Sequence, residues 1–211
     1  MKKLLFFFIS ILNLYGIEIK QLPIDFGEKR VELTKEYIKN SYDLNVDNIE
    51  ITPKIIVIHH TASDDLKESY DRFKPEILLA DRKDIKKGGL LNVSAHFLVD
   101  FDGTIYSLMS ETYMARHVIG LNYSSIGIEN VGGKEKALTK EQLNANIELV
   151  RYLKEKYKTI KYLIGHYEYT NSENNPLFLE KDKSYRTIKH DPDVNFMESL
   201  RANFKDLKPL N

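Results

Sequence analysis

Three short segments of this 211-residue chain carry side chains that bind metal ions. They read Ile-Val-Ile-His-His-Thr-Ala at 56–62, Leu-Ile-Gly-His at 163–166 and Lys-His-Asp-Pro at 189–192. Two imidazoles and one carboxylate leave the fourth position of a tetrahedral zinc ion open for water, which is a common arrangement in catalytic zinc sites. The chain contains no cysteine, so a zinc site has to be built from His, Asp or Glu. Together the three segments predict a catalytic zinc site.

The elements around the first two segments decide which side chains can meet. The β-branched run from Ile55 to His59 is typical of a buried strand. Successive side chains of a strand point to opposite faces, so His59 and His60 cannot both enter one site. His166 follows a second apolar run, 162–165, which predicts another strand ending at the same edge of the sheet. We therefore expect one of the two adjacent histidines to be a ligand together with His166.

Asp191 is the natural third ligand, because it is a carboxylate held next to Pro192. The segment 171–189 that precedes it is long and polar and is predicted to be a loop. Such a loop beside a metal either shapes the substrate site or is a flexible insertion. Its length also leaves His190 as an alternative to Asp191.

The remaining patterns predict a single α/β domain. Asp102-Gly103 between two short apolar runs is a hairpin signal. Thr139 and Gln142 form a capping-box pattern at the start of a helix that extends to Tyr157. We also predict strands at 94–100 and 125–130, and helices at 33–40, 64–74 and 195–204. Strands that alternate with helices, with one hairpin, indicate a central mixed β-sheet flanked by helices.

The composition argues against nucleic acid as a partner. The chain has 31 Lys and Arg residues and 31 Asp and Glu residues, so its formal net charge is zero. Such a balance provides no general attraction to a polyanion. The lysine-rich run 154–161 is interpreted as the solvated end of a helix. A length of 211 residues suits one domain with a full hydrophobic core.

The N-terminus has the layout of a secretory signal peptide at residues 1–16. Lys2 and Lys3 precede an apolar stretch that ends at Gly16 and is too short to span a bilayer comfortably. The alternatives are an amphipathic first helix and an uncleaved anchor. We therefore expect an exported, periplasmic protein with no stable membrane span after cleavage. Residues 17–50 are predicted to be a lead-in packed on a catalytic domain at 51–211.

Eight segments, in consistent order from about Lys54 to Phe196, carry a resemblance to a known family. The chain resembles the zinc-dependent N-acetylmuramoyl-L-alanine amidases of the amidase-2 type, whose superfamily includes phage T7-lysozyme-like amidases and peptidoglycan recognition proteins. Besides the three segments above, the matches are Ser-Ala-His-Phe-Leu-Val-Asp (94–100), Asp-Gly-Thr-Ile-Tyr (102–106), Ala-Arg-His (115–117), Ser-Ile-Gly-Ile-Glu-Asn (125–130) and Leu-Thr-Lys-Glu-Gln (138–142). One such match arises easily by chance, whereas eight in sequence do not.

The resemblance implies a set of metal ligands. In this family the histidine directly after the apolar strand binds zinc, which selects His59 over His60. The histidine of the Gly-His pair is the second ligand, here His166. The third ligand is an aspartate in some branches and a cysteine in others, and its position falls on Asp191. The implied cofactor is therefore Zn²⁺.

The resemblance also implies roles for residues around the metal. Glu129 corresponds to the general acid/base, and Lys189 to a lysine that stabilises the oxyanion. His117 corresponds to the histidine of the family's Trp-His-Ala-Gly segment, which lines the substrate groove. Arg116 replaces the tryptophan of that segment, so its groove contacts are expected to differ. Asn122 is a further candidate for shaping the groove.

The expected function is zinc-dependent hydrolysis of the amide bond between the lactyl group of N-acetylmuramic acid and L-alanine in peptidoglycan or muropeptides. The implied fold is that of the amidase-2 and peptidoglycan recognition proteins. Two alternatives stay open: a peptidoglycan recognition module without catalysis, and an unrelated zinc hydrolase of cell-wall glycans such as a deacetylase. Binding without product release would indicate the first alternative, and release of acetate the second.

Overall fold

A computed structural model of the protein describes residues 16–211. The predicted signal peptide, apart from its last residue, lies outside the described residues. Within 16–211, no helix is both long enough and apolar enough to cross a membrane.

Residues 16–211 contain one six-stranded sheet with the order β1-β4-β3-β5-β2-β6. The strands are β1 (Ile19–Gln21), β2 (Ile55–His60), β3 (Phe97–Val99), β4 (Ile105–Ser107), β5 (Ser125–Asn130) and β6 (Tyr162–Gly165). Strands β3 and β4 are antiparallel, whereas the other neighbouring strands run parallel. The predicted mixed sheet is thus confirmed. The Asp102-Gly103 turn joins β3 to β4, and Gly103 adopts a φ of 84°, which favours glycine.

Four α-helices occur in the described range: α1 (Glu28–Tyr42), α2 (Leu66–Phe73), α3 (Lys140–Lys156) and α4 (Val194–Arg201). Short 3₁₀ helices lie at Lys83–Gly88, Asn122–Ser124 and His166–Ser172. The predicted capping box is present at the start of α3. There the Thr139 hydroxyl accepts from the backbone N–H of Gln142, and the Gln142 side chain accepts from the backbone N–H of Thr139. These reciprocal bonds satisfy two N–H groups that the helix leaves free.

Strand β2 is buried on both faces, which explains its continuous apolar sequence. Ile56 and Ile58 belong to a core shared with the inner faces of α3 and α4. Ile55 and Val57 belong to a different core on the opposite side of the sheet. Because side chains alternate along a strand, His59 lies on the same face as Ile55 and Val57. The side chain of His59 therefore points away from α3 and α4.

The structure differs from the sequence-based expectations mainly near the N-terminus. The three-residue strand β1, which pairs with β4, was not expected, because so short a run shows no clear alternation. Helix α1 begins at Glu28 rather than Leu33, since its N-cap Gly27 makes no side-chain cap and leaves no start signal. The strand expected at 94–100 is limited to β3, and the last helix is α4 rather than 195–204.

Candidate metal centre and cleft

Three neighbouring parallel strands bring two predicted ligands and Glu129 together at one edge of the sheet. His59 is in register with Glu129 across β2 and β5, and Ile58 is in register with Gly165, which precedes His166, across β2 and β6. Residues in register on neighbouring strands point to the same face, so the side chains of His59 and Glu129 lie on one side. This position beyond the carboxyl ends of the strands is where open α/β sheets bind ligands.

His59, His166 and Asp191 form a compact group of ligand atoms that can hold a metal ion. The two Nδ1 atoms are 2.9 Å apart, and Asp191 Oδ2 lies 3.0 Å from His166 Nδ1 and 3.4 Å from His59 Nδ1. A tetrahedral zinc ion with bonds of roughly 2.0–2.2 Å separates its ligand atoms by about 3.3–3.6 Å. The three atoms therefore match a zinc-sized cation to within about half an ångström.

The alternative histidines lie outside this group. His190 is exposed. The backbone of its neighbour Asp191 is held in place, because the Asp191 carbonyl accepts a hydrogen bond of 2.9 Å from the Tyr167 N–H. His60 Nδ1 accepts a hydrogen bond of 3.2 Å from the backbone N–H of Ala62. The structure thus brings together the ligand set implied by the resemblance. The Asp191–Pro192 peptide bond is cis.

The protonation states of the three side chains suit a metal ion. Burial lowers the pKa of His59 to about 4 and also lowers the pKa of His166. Burial acts to raise the pKa of Asp191, but the contacts with His166 and His59 outweigh it and hold that pKa well below its ordinary value. Neutral imidazoles and an ionised carboxylate are the forms that bind a metal.

Glu129 is a buried carboxyl group next to the ligands. Only 8% of the residue is exposed, and its Oε2 has no hydrogen-bond partner among the described residues. Burial, followed by the charge of Asp191, raises the pKa of Glu129 to about 8. A carboxyl group that titrates near neutral pH in a cleft can both accept and donate a proton.

The ligands and Glu129 line a cleft of about 370 Å³. Four cationic side chains also line this cleft, those of Arg72, Arg82, Arg116 and Lys189. Arg82 and Lys189 are close enough to Glu129 to oppose the rise of its pKa electrostatically. Lys189 and Arg116 were expected at this site, whereas Arg72 and Arg82 were not, because nothing in their local sequence distinguishes them from other surface cations.

A sequence profile of the family described as N-acetylmuramoyl-L-alanine amidase (Amidase_2) matches residues 50–183, which is more than half of the chain. The chain belongs to this amidase family. The match ends before Lys189 and Asp191, so the third ligand of this family member rests on the geometry described above. A comparison with curated proteins found no match.

Solved structures share the fold of this amidase-family chain. LysC, an N-acetylmuramoyl-L-alanine amidase from Clostridium intestinale URNW, is 23% identical, with 91% of this chain and 99% of LysC covered and a TM-score of 0.55. A selenomethionine derivative of AmpD is 20% identical, with coverages of 88% and 94% and a TM-score of 0.55. Bumblebee PGRP-SA is 21% identical, with coverages of 80% and 93% and a TM-score of 0.52. These likenesses confirm the predicted α/β fold.

Two further residues expected at the substrate groove line the cleft of this amidase-family fold, although both are almost wholly buried. His117 is 9% exposed, and its Nδ1 lies 3.0 Å from His59 Nε2. Asn122 is fully buried, and its Oδ1 accepts hydrogen bonds from the backbone N–H groups of His117 and Val118. Both side chains are hydrogen-bonded within the protein and support the structure around the centre, while their contact with substrate stays a prediction.

Arg116 is likewise buried, with 3% of the residue exposed. Its guanidinium donates to three backbone carbonyls, those of Ile85, Gly89 and Leu91. It also contacts the Tyr185 hydroxyl at 3.1 Å and stacks on the Tyr37 ring at 5.1 Å. No carboxylate pairs with Arg116 within residues 16–211. Arg116 is also among the residues that line the cleft, and its guanidinium holds loop backbone, because its fixed donors match several carbonyls at once.

Proposed function

We propose that this protein hydrolyses the amide bond between the lactyl group of N-acetylmuramic acid and L-alanine, with zinc held by His59, His166 and Asp191. One observation carries the proposal: three convergent ligand atoms lie beside the buried, unpartnered Oε2 of Glu129. A recognition module has no need for a buried carboxyl group there, whereas metal-assisted hydrolysis requires a group that transfers protons. Family membership supports peptidoglycan or soluble muropeptides as the substrate.

Glu129 is the residue placed to move protons. Zinc, when bound, supplies Lewis-acid chemistry by polarising a carbonyl group and lowering the pKa of water from 15.7 to about 7. Glu129 takes a proton from the attacking water as the new C–O bond forms. It then delivers a proton to the L-alanine nitrogen as the C–N bond breaks. A pKa raised by burial to about 8 suits both steps at neutral pH.

Lys189 is the residue placed to stabilise negative charge. It lines the same cleft and acts electrostatically on Glu129, His59 and His166. During attack, negative charge develops on the carbonyl oxygen of the scissile amide. A preorganised positive group near that oxygen typically lowers the barrier by roughly 3–4 kcal/mol. We assign this role to the ammonium group of Lys189.

A digest of purified peptidoglycan, resolved by mass spectrometry, tests the proposal. We expect the release of stem peptides that begin with L-alanine, their loss after chelation and their return with added zinc. Asp191→Ala should abolish this release. His190→Ala is the matched control and should retain it, because His190 is exposed and lies outside the ligand group.

Other outcomes of the same digest assign the alternatives. Binding of peptidoglycan without cleavage would indicate a recognition module. Release of acetate in place of stem peptides would indicate a deacetylase. Undiminished cleavage after complete removal of metal would contradict the role given to the three ligands.

We also propose that the protein is exported to the periplasm. The predicted signal peptide supports this proposal, because peptidoglycan lies outside the cytoplasmic membrane. Protein from a periplasmic extract should have an N-terminus that follows Gly16 on sequencing. Full-length protein confined to the cytoplasm would contradict the proposal.

A further inference from the structure

A chain of hydrogen bonds leads from a backbone carbonyl to the imidazole of His59. Ser125 Oγ lies 2.8 Å from the carbonyl oxygen of Leu121 and 3.1 Å from His117 Nε2. His117 Nδ1 in turn lies 3.0 Å from His59 Nε2. All four residues are buried, so bulk water does not compete for these bonds.

The carbonyl at the far end sets the direction of each proton in this chain. A carbonyl oxygen only accepts, so the single hydrogen of the Ser125 hydroxyl is donated to Leu121, the closer of its two partners. The Ser125 oxygen then accepts from His117 Nε2–H, which leaves a lone pair on Nδ1 of the neutral ring. That lone pair accepts from His59 Nε2–H, and the lone pair of His59 is thereby placed on Nδ1.

This tautomer of His59 is the one that a metal ion requires. Nδ1 is the atom of His59 that faces His166 and Asp191. If the chain ran in the opposite direction, Ser125 would donate to His117 and a proton would occupy His59 Nδ1, where it would block coordination. The partner of the second ring nitrogen commonly fixes both the tautomer and the orientation of a metal-binding histidine.

The His117 ring is held in place by the backbone of β5. A Cβ atom at Gly127 would lie 2.8 Å from His117 Cγ and Nδ1, so glycine is needed to leave room for the ring. The backbone N–H of Gly127 donates to His96 Nδ1 at 3.0 Å, and His96 Nε2 lies 2.9 Å from the Tyr113 carbonyl oxygen. His96 therefore supports this part of the strand and does not enter the hydrogen-bond chain.

We propose that His117 is a positioning residue which, together with Ser125, fixes the orientation and the metal-ready tautomer of His59. The inference rests on the proposed metal site. It gives His117 a role behind the metal ligand in addition to its expected place at the substrate groove. Metal affinity then depends on two buried side chains that lie outside the group of metal ligands.

Nitrogen-15 NMR of the histidine side chains in metal-free protein observes the tautomers directly. We expect both His59 and His117 to carry their proton on Nε2. In Ser125→Ala the acceptor of His117 Nε2–H is lost, so both rings should become mixtures of tautomers. Ser125→Thr keeps a hydroxyl group and should retain the wild-type spectrum. A proton on Nδ1 of His59 in the wild-type protein, or an unchanged spectrum for Ser125→Ala, would overturn the inference.

Zinc affinity, measured by competition with a chromophoric chelator, gives a second readout. Changes behind a metal ligand commonly reduce affinity by about 10- to 100-fold, and we expect a loss in this range for His117→Phe. The loss should be smaller for Ser125→Ala and absent for Ser125→Thr and for the exposed control His190→Ala. Wild-type affinity in both His117→Phe and Ser125→Ala would overturn the inference.

The two measurements also separate this inference from the proposed function. If the wild-type protein bound no zinc, the proposed function would fail, while the NMR spectra would still decide the direction of the hydrogen-bond chain. If His117→Phe did not fold, Ser125→Ala would decide the inference, because that change removes a single buried oxygen atom.

Discussion

The two sides of the cleft are built in different ways. One side, the metal centre, consists of His59, Glu129, His166 and Asp191, and its first three members follow from the register of adjacent parallel strands. The other side, the loop wall, consists of residues 82–91 and 173–188 and contains neither a strand nor an α-helix. Strand register positions His59, Glu129 and His166, whereas side-chain bonds to backbone carbonyls position the loop wall.

Arg116 joins the two segments of the loop wall from behind. Its guanidinium bonds the carbonyl of Ile85 in the first segment and the hydroxyl of Tyr185 in the second. Tyr185 Oη also lies 3.2 Å from the Ile85 carbonyl oxygen. A Cβ atom at Gly88 would lie 2.5 Å from Arg116 Nη2, so a side chain at this point would displace the end of the guanidinium. One buried cation therefore sets the distance between the two segments.

This difference separates the chemistry of the site from its shape. Parallel strands bond to their neighbours along their whole length, so changes in the loop wall should leave the metal centre intact. The loop wall depends on a few contacts, so its disturbance should first alter how substrate enters. Such a division, with chemistry on strand ends and shape on loops, is common in α/β proteins.

Removal of a metal ligand should have the largest effect. His59→Ala or His166→Ala leaves two protein ligands, and we expect zinc binding and turnover of muropeptides to fall below detection. Zinc content after dialysis and the peptide-release assay measure the two effects. Wild-type turnover in His166→Ala would show that the reaction does not depend on this metal centre. The contrast between the metal centre and the loop wall would then have no basis.

Replacement of Glu129 should separate metal binding from catalysis. Glu129→Gln keeps the size of the side chain but cannot exchange protons, so turnover should fall by about 10²- to 10⁴-fold. Zinc affinity should stay within the error of the wild-type value, because Glu129 is outside the ligand group. Glu135→Gln, on an exposed carboxylate, is the control. Unchanged turnover in Glu129→Gln would exclude the residue from the mechanism.

The raised pKa of Glu129 also predicts how stability depends on pH in chelator-treated protein. Burial raises this pKa from 4.5 to about 8, so the folded state keeps a proton that the unfolded state loses above pH 4.5. The free energy of unfolding should therefore fall as pH rises from 4.5 to 8, by up to about 1.4 kcal/mol per pH unit. Because glutamine does not titrate, the free energy of unfolding of Glu129→Gln should not show this fall. Urea unfolding at pH 5 and pH 9 should show a larger advantage for the variant at pH 9, and equal differences at both values would contradict the shift.

The difference between the two sides also explains how much the sequence could predict. His59, Glu129 and His166 each lie in or directly after an apolar run, and such runs indicate strands whose ends meet at one edge. Asp191 was identified from its neighbour Pro192 and from the family resemblance. The register that brings His59, Glu129 and His166 together follows from β2, β5 and β6, and local patterns predict these three strands.

The contacts that His117, Asn122 and Arg116 make within the protein could not be predicted in the same way. A motif places a residue close to a site but does not show whether its side chain faces the cleft or the protein behind it. That choice depends on distant partners, such as Tyr37 and Tyr185 for Arg116. Strand β1 was missed for a related reason, since its pairing with β4 is a tertiary contact with no local signal.

Loss of the guanidinium of Arg116 tests the loop wall. Arg116→Met leaves buried carbonyl groups without donors, so we expect the free energy of unfolding to fall by about 2–4 kcal/mol. KM for muropeptides should rise more than kcat falls, while zinc affinity stays at the wild-type value. Urea unfolding, steady-state kinetics and zinc competition measure these quantities, with the exposed Arg151→Met as control. A clear loss of zinc affinity would show that the two sides of the cleft are not independent.

The ion pair between Lys87 and Asp182 should contribute least, although it also links the two segments of the loop wall. Its atoms are 2.6 Å apart, but both side chains are exposed, and exposed pairs add little because water and salt screen them. Lys87→Ala should therefore leave the urea midpoint unchanged and alter KM only slightly, as should the neighbouring control Lys86→Ala. If Lys87→Ala raised KM as much as Arg116→Met does, the exposed ion pair would be as important for the loop wall as the buried guanidinium. Burial of the Arg116 guanidinium would then no longer explain how the loop wall keeps its shape.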